Sequence, residues 1–97
     1  MEIDKVIHEP ARLRIMMILS GVEKVDFNFL ITTLKLTRGN LSRHIEKLES
    51  ADYIKVEKSF KGKVPNTSYK ITQKGTKELA QYWEHLDNVR QIGKTPK

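Results

Sequence analysis

Two amphipathic helices separated by only two residues constrain this chain more than any other feature in it. Asp26 stands where an N-cap belongs, and Phe27, Leu30, Ile31 and Leu34 follow it at helical spacing. After Lys35 and Leu36, Thr37 is placed to cap a further helix that should run to about Ala51. In that helix Leu41, Ile45 and Leu48 fall at i, i+4 and i+7, so at about 100° per residue they share one stripe. The same rotation turns Gly39, Asn40, Arg43 and Lys47 away from the stripe. Val25 with Leu30, and Leu36 with Leu41, are spaced as hydrophobic staples across the two caps.

Two capped helices on so tight a turn make a helix-turn-helix arrangement, with the second helix free to enter a groove. Residues 3–8 are expected to form a short opening helix with Ile3, Val6 and Ile7 on one side. Pro10 suits the first position of a new helix, where its missing N–H costs nothing. Ala11, Ile15, Ile18 and Leu19 then share a face, and Gly21 is the expected stop. Residues 53–58 alternate apolar and charged, and residues 67–71 alternate with Tyr69 and Ile71 on one side, so both read as half-buried strands. Residues 59–66 between them hold Gly, Pro and Asn and read as a hairpin loop with Lys61 and Lys63 at its tip.

Thr72 is placed to cap a last helix of roughly 18 residues, which would be about 27 Å long. Gly75 in its first turn should cost on the order of 1 kcal/mol relative to Ala. Leu79, Tyr82, Leu86 and Val89 are spaced 3, 4, 3, the seam of a coiled coil, with Trp83 beside it as an interface anchor. The expected architecture is mainly α with a small β-ribbon, an α+β single domain over residues 1–97. Within it, 10–71 form a core, 72–91 a C-terminal dimerisation helix and 92–97 a frayed tail. A domain of this size buries a modest share of its surface, so pairing through the last helix and through Ile3 and Val6 would add stability.

Charge narrows the partner. Of the net +6, the stretch from Leu34 to Lys70 carries +5. Its basic residues are Lys35, Arg38, Arg43, Lys47, Lys55, Lys58, Lys61, Lys63 and Lys70, against Glu46, Glu49, Asp52 and Glu57. Clustered positive charge points to a polyanion. There are no cysteines, which excludes disulfides and thiolate metal sites, and His8, His44 and His85 form no ligand-spaced pair. No signal peptide, apolar membrane span, nucleophile motif, Gly-rich phosphate loop or paired-carboxylate signature is visible, so no enzymatic activity, cofactor or metal is expected.

One stretch reads Leu41-Ser42-Arg43-His44-Ile45-Glu46-Lys47-Leu48-Glu49 and runs into Ala51-Asp52-Tyr53-Ile54. A second reads Thr67-Ser68-Tyr69-Lys70-Ile71-Thr72-Gln73-Lys74-Gly75. Together they resemble the small prokaryotic winged helix-turn-helix transcriptional regulators akin to the MarR and ArsR families. The second stretch is similar to the strand and "LT-x-x-G" helix start of such proteins. The likeness spans about Pro10 to Leu86. It implies a homodimer on a pseudo-palindromic double-stranded DNA operator, with the third helix of each protomer in the major groove and the wing on the minor groove or flanking phosphates. By position it implies that Arg38, Asn40, Ser42, Arg43, His44 and Lys47 face the groove and that Lys61 and Lys63 are wing contacts. Asp52 departs from the pattern, because many relatives carry Gly after this helix, at a position suited to left-handed backbone.

Residue chemistry ranks these candidates. Arg43 can pair bidentately with guanine, or else with Glu46 or Glu49 on its own helix. Asn40 can read adenine or hold a phosphate, or else bond to the backbone near its cap. Ser42 and Lys47 suit phosphates, while His44 lies between the buried and exposed faces and could pack on the second helix. The expected function is a cytoplasmic, nucleoid-associated, sequence-specific regulator, a repressor because no second domain is visible to recruit polymerase. A winged-helix protein-interaction module within a larger assembly is the alternative, and RNA binding has few exposed aromatics to support it. An effector is compatible with the resemblance, but no residue indicates one.

Overall fold

Each helix begins where a side chain is available to cap it. In the computed structural model, which describes residues 2–94, α1 spans Pro10–Ser20 and Glu9 caps it, its Oε1 accepting from the Arg12 backbone N–H at 2.8 Å. Asp26 Oδ1 accepts from Phe29 N at 2.8 Å to start α2 (Phe27–Leu34), and Thr37 Oγ1 accepts from Asn40 N at 3.1 Å to start α3 (Arg38–Ser50). Thr72 Oγ1 accepts from Gly75 N at 2.9 Å at the head of α4 (Gln73–Lys94). Each cap satisfies an N–H that the first helical turn leaves without a partner.

The sheet is three-stranded and antiparallel in the order β1-β3-β2, with β1 at Val25–Asp26, β2 at Ile54–Lys61 and β3 at Val64–Ile71. The hairpin is longer than its sequence suggested. Ser59 pairs with Asn66, Phe60 with Pro65 and Lys61 with Val64, so the expected eight-residue loop is mostly strand. Only Gly62 and Lys63 turn the chain, with Gly62 at φ 64° in the left-handed region that glycine adopts at no steric cost. Pro65 is tolerated because β1 pairs with β3 only at Ser68 and Tyr69, which leaves the second edge of β3 open there.

Two further expectations are corrected. Residues 3–8 form a turn, not a helix: Asp4 Oδ1 accepts from the N–H groups of Val6 (2.8 Å) and Ile7 (3.1 Å), which diverts them from a helical ladder. The last helix has 22 residues, so residues 92–94 of the expected tail continue it, while 95–97 lie outside the described residues.

The core joins Ile7, Ile15, Met16 and Leu19 to Leu30, the α3 stripe Leu41, Ile45 and Leu48, and Tyr53, Ile54, Tyr69, Leu79 and Tyr82. Asp52 takes the left-handed conformation at φ 64° that its position demanded, and Lys35 does the same at φ 56° where α2 closes. The start of α4 is locked to β2, with Thr72 N donating to Tyr53 O at 3.0 Å and Thr72 Oγ1 to Asp52 O at 2.6 Å. Gly75 lies against this junction, and a Cβ there would sit 2.1 Å from the Tyr53 carbonyl oxygen. The residue that looked like a propensity cost is a steric requirement.

Candidate nucleic-acid interface

α3 is buried along Leu41, Ile45 and Leu48 and presents Arg38, Ser42, Arg43 and Lys47 to solvent on its other faces, with Asn40 half-buried. Arg43 Nη2 donates to Asn40 Oδ1, and among the described residues neither Glu46 nor Glu49 pairs with it. The guanidinium is thereby steadied against a neutral neighbour and keeps its charge for an outside acceptor. At the head of the helix the Arg38 guanidinium lies 5.0 Å from the centroid of the Phe27 ring, a cation–π contact that aims it across the α2–α3 junction.

His44 is placed differently from its neighbours. Its ring is half-buried and turned toward α1, where Nδ1 lies 3.2 Å from Arg12 Nη1 and 3.9 Å from Glu9 Oε1. Arg12 is itself anchored, donating through Nε to Val6 O at 2.5 Å. Thus α3 is pinned to α1 by a polar cluster that no sequence period announces. Burial works to raise the Glu9 carboxyl, but the Arg12 backbone N–H, the nearby His44 and the Ala11 N–H together hold it below its ordinary 4.5. A carboxyl with a depressed folded-state pKa contributes stability that is present above the unfolded value and is lost as pH falls through the folded one. The stability difference between the native chain and Glu9→Gln should therefore be full at neutral pH and shrink below pH 4.5, as measured by urea midpoints across that range.

The hairpin carries the second cationic group. Lys63 is exposed at the turn, and Lys61, with a side chain 74% exposed, has its Nζ 4.0 Å from Asp26 Oδ2. Lys70 and Lys24 instead meet Glu57, at 3.1 Å and 3.7 Å. The Lys70 hydrogen bond and charge hold the Glu57 carboxyl below its ordinary range. Those two lysines tie the sheet together, whereas Lys61 and Lys63 project past it.

An α-helix whose outer face is cationic, on a tight turn after another helix and beside a basic two-stranded ribbon, is the form in which proteins present a reading helix and a wing to DNA. Residues 11–89 match the family model described as a winged helix DNA-binding domain. The chain belongs to that family. Its winged helix is similar, at 39% identity over 79 residues, to an uncharacterized protein of Methanocaldococcus jannaschii, covering 80% of this chain and 85% of that one. It is also similar to the transcriptional regulator homologue protein of Pyrococcus horikoshii. That match has 31% identity and a TM-score of 0.84, and covers 93% of this chain and 89% of that one. The fold recurs in Bacillus subtilis PadR, solved in complex with operator DNA, at 15% identity and a TM-score of 0.68 over 78% of this chain and 46% of that one. The winged-helix resemblance read from α3 and from the strand leading into α4 therefore holds, and the fold is that of winged-helix transcriptional regulators.

The residues proposed for pairing fall into two groups. Leu79 and Tyr82 are 6% and 2% exposed and already belong to the core of their own domain, with Ile3, Val6 and Leu86 partly buried against it. Trp83 and Val89 remain open along the distal part of α4. Sequence reasoning missed Arg12, which holds His44, because a lone arginine on a core helix carries no signal. It also missed Phe60, which it assigned to a loop; the alternation continuing from Ile54 through Val56 and Lys58 was the available clue. No helix among the described residues is long and apolar enough to cross a membrane. None of their His, Asp and Glu side chains form a group of three or more that could hold a metal ion.

Proposed function

We propose that this winged helix is a sequence-specific regulator that binds double-stranded DNA as a homodimer and represses by occupying its operator. Arg38, Arg43 and Lys47 on the outer face of α3, exposed beside the Lys61–Lys63 turn, carry this reading. In it α3 lies in the major groove, Arg43 and Asn40 read base edges, and Ser42 and Lys47 hold phosphates. His44 acts from behind, fixing the seating of α3 on α1. The wing lysines take flanking phosphates, and the protein works in the cytoplasm on the nucleoid, without catalysis.

Dimerisation is assigned to the distal part of α4, where Trp83, Leu86 and Val89 extend the seam beyond the residues their own core consumes. An exposed apolar ridge of this kind is what a second copy would bury. Val89→Asp should leave the fold intact, since the residue is 54% exposed, and should yield monomers by light scattering. A persistent dimer would move the interface elsewhere.

Selection of bound sequences from random duplex DNA at near-physiological salt tests the whole reading. The expected result is an enriched motif with two-fold symmetry; no enrichment would overturn it in favour of a protein-assembly role. Arg43→Ala should then lower discrimination at one base pair of each half-site by ~1–3 kcal/mol while leaving non-specific binding nearly unchanged.

A further inference from the structure

The wing carries an aromatic side chain that the fold does not use. In the β2–β3 register, Ile54 faces Ile71, Val56 faces Tyr69, Lys58 faces Thr67 and Phe60 faces Pro65, and directly opposed residues share one face of the ribbon. At its base that face is core, with Ile54 3% and Tyr69 6% exposed. Past Thr67 nothing covers it, and Phe60 is 72% exposed. The face is turned to the same side as the head of α3, because Pro65, Thr67 and Tyr69 line one cleft of about 270 Å³ with Phe27, Asn28 and Arg38.

The surroundings of Phe60 specify its partner. From Lys58 to Asn66 the wing holds Lys58, Lys61 and Lys63 and no acidic residue. A ligand that suits an exposed aromatic ring ringed by cations must be apolar within and anionic at its edges, as stacked bases between two phosphate backbones are. The ring is also carried on a paired ribbon, so little conformational freedom is lost when it docks. Gly62, with no atom within 4 Å of where its Cβ would be, lets the turn approach a backbone closely.

We propose that Phe60 is a wedge. Bound to DNA as described under the proposed function, on which this inference rests, the wing lays the Phe60 ring into the minor groove flanking each half-site and partly unstacks one base step. Lys58, Lys61 and Lys63 hold the phosphates on either side. Such a wedge selects flanking steps that unstack easily, and so adds discrimination at positions α3 never touches.

The test uses the full chain and its selected duplex, with 2-aminopurine placed singly at successive flanking positions, since its fluorescence rises when it unstacks. Binding of the native protein should raise the signal at one position in each flank. Phe60→Ala should abolish that rise and weaken binding roughly ten-fold, the scale of losing one base–aromatic contact. It should leave both the α3 half-site preference and the thermal midpoint unchanged, because the ring is outside the core. Phe60→Leu, which keeps an apolar wedge, should restore part of the signal. If the native protein selects a site but no flanking position brightens and Phe60→Ala binds normally, the wedge is wrong and the proposed function stands. If Phe60→Ala instead turns dimers into monomers, the ring contacts a second copy and the wedge is likewise overturned. If the native protein selects no duplex, both readings fail together.

Discussion

Replacing Gly75 with Ala is expected to destabilise the domain by about 3 kcal/mol, toward the upper end of the usual cost of overpacking. For a chain of this size that lowers the thermal midpoint by about 12–24 °C. Helix propensity argues for the opposite sign, since Ala is better than Gly inside a helix by about 1 kcal/mol. Packing overrides it. The new Cβ would lie 2.1 Å from the Tyr53 carbonyl oxygen and 2.9 Å from Ile71 Cγ1. Ile71 could turn aside, but the Tyr53 carbonyl is fixed by the Thr72 N–H at 3.0 Å, and Thr72 also caps α4. Relief therefore means moving α4 off β2, which disturbs the seat of Leu79 and Tyr82 in the core. Calorimetry on the single variant decides the matter, and a higher midpoint would show that α4 does not pack on Tyr53 in this way.

Gly75 also shows where the sequence stops being legible. The four long helices could be read because each combines a local cap with an apolar period, two signals confined to a few neighbouring residues. Asp52 could be read because only a few residue types accept its left-handed backbone. What could not be read depends on contacts between distant segments. Strand β1 is two residues long and has no period; it exists because Tyr69 and Ser68 offer it partners. The clash at Gly75 comes from residue 53, and the partners of His44 come from residues 9 and 12 of another helix. The opening turn was misread because Ile3, Val6 and Ile7 have helical spacing, while one carboxylate, Asp4, captures two of the N–H groups a helix would need. For the candidate site, the polar face of α3 was plain from its 100° rotation. The working face of the wing was not, because Gly and Pro concealed strands that run to the last residue before the turn.

The affinity of the native protein for its selected duplex should fall steeply with salt, and the steepness reports how many protomers are bound. Lys24 and Lys70 are committed to Glu57, and Arg43 is assigned to a base. Arg38, Lys47, Lys61 and Lys63 remain as phosphate partners in each protomer. At a slope of about −0.9 per neutralised phosphate, a bound monomer would give a log–log slope of about −3.6 and lose roughly 100-fold between 50 and 200 mM salt. A dimer engaging about eight phosphates would give a slope of about −7 and lose roughly 10⁴-fold over the same range. The two outcomes differ by far more than titration error, so the measurement tests dimeric binding without relying on the free protein's state. Lys63→Ala removes one such contact per protomer and should flatten the dimer slope by about 1.8 while leaving sequence preference intact. Arg43→Ala should do the reverse, keeping the slope and losing the preference. A variant pair that changed both quantities together would mean that α3 and the wing do not divide the work of reading bases and holding the backbone.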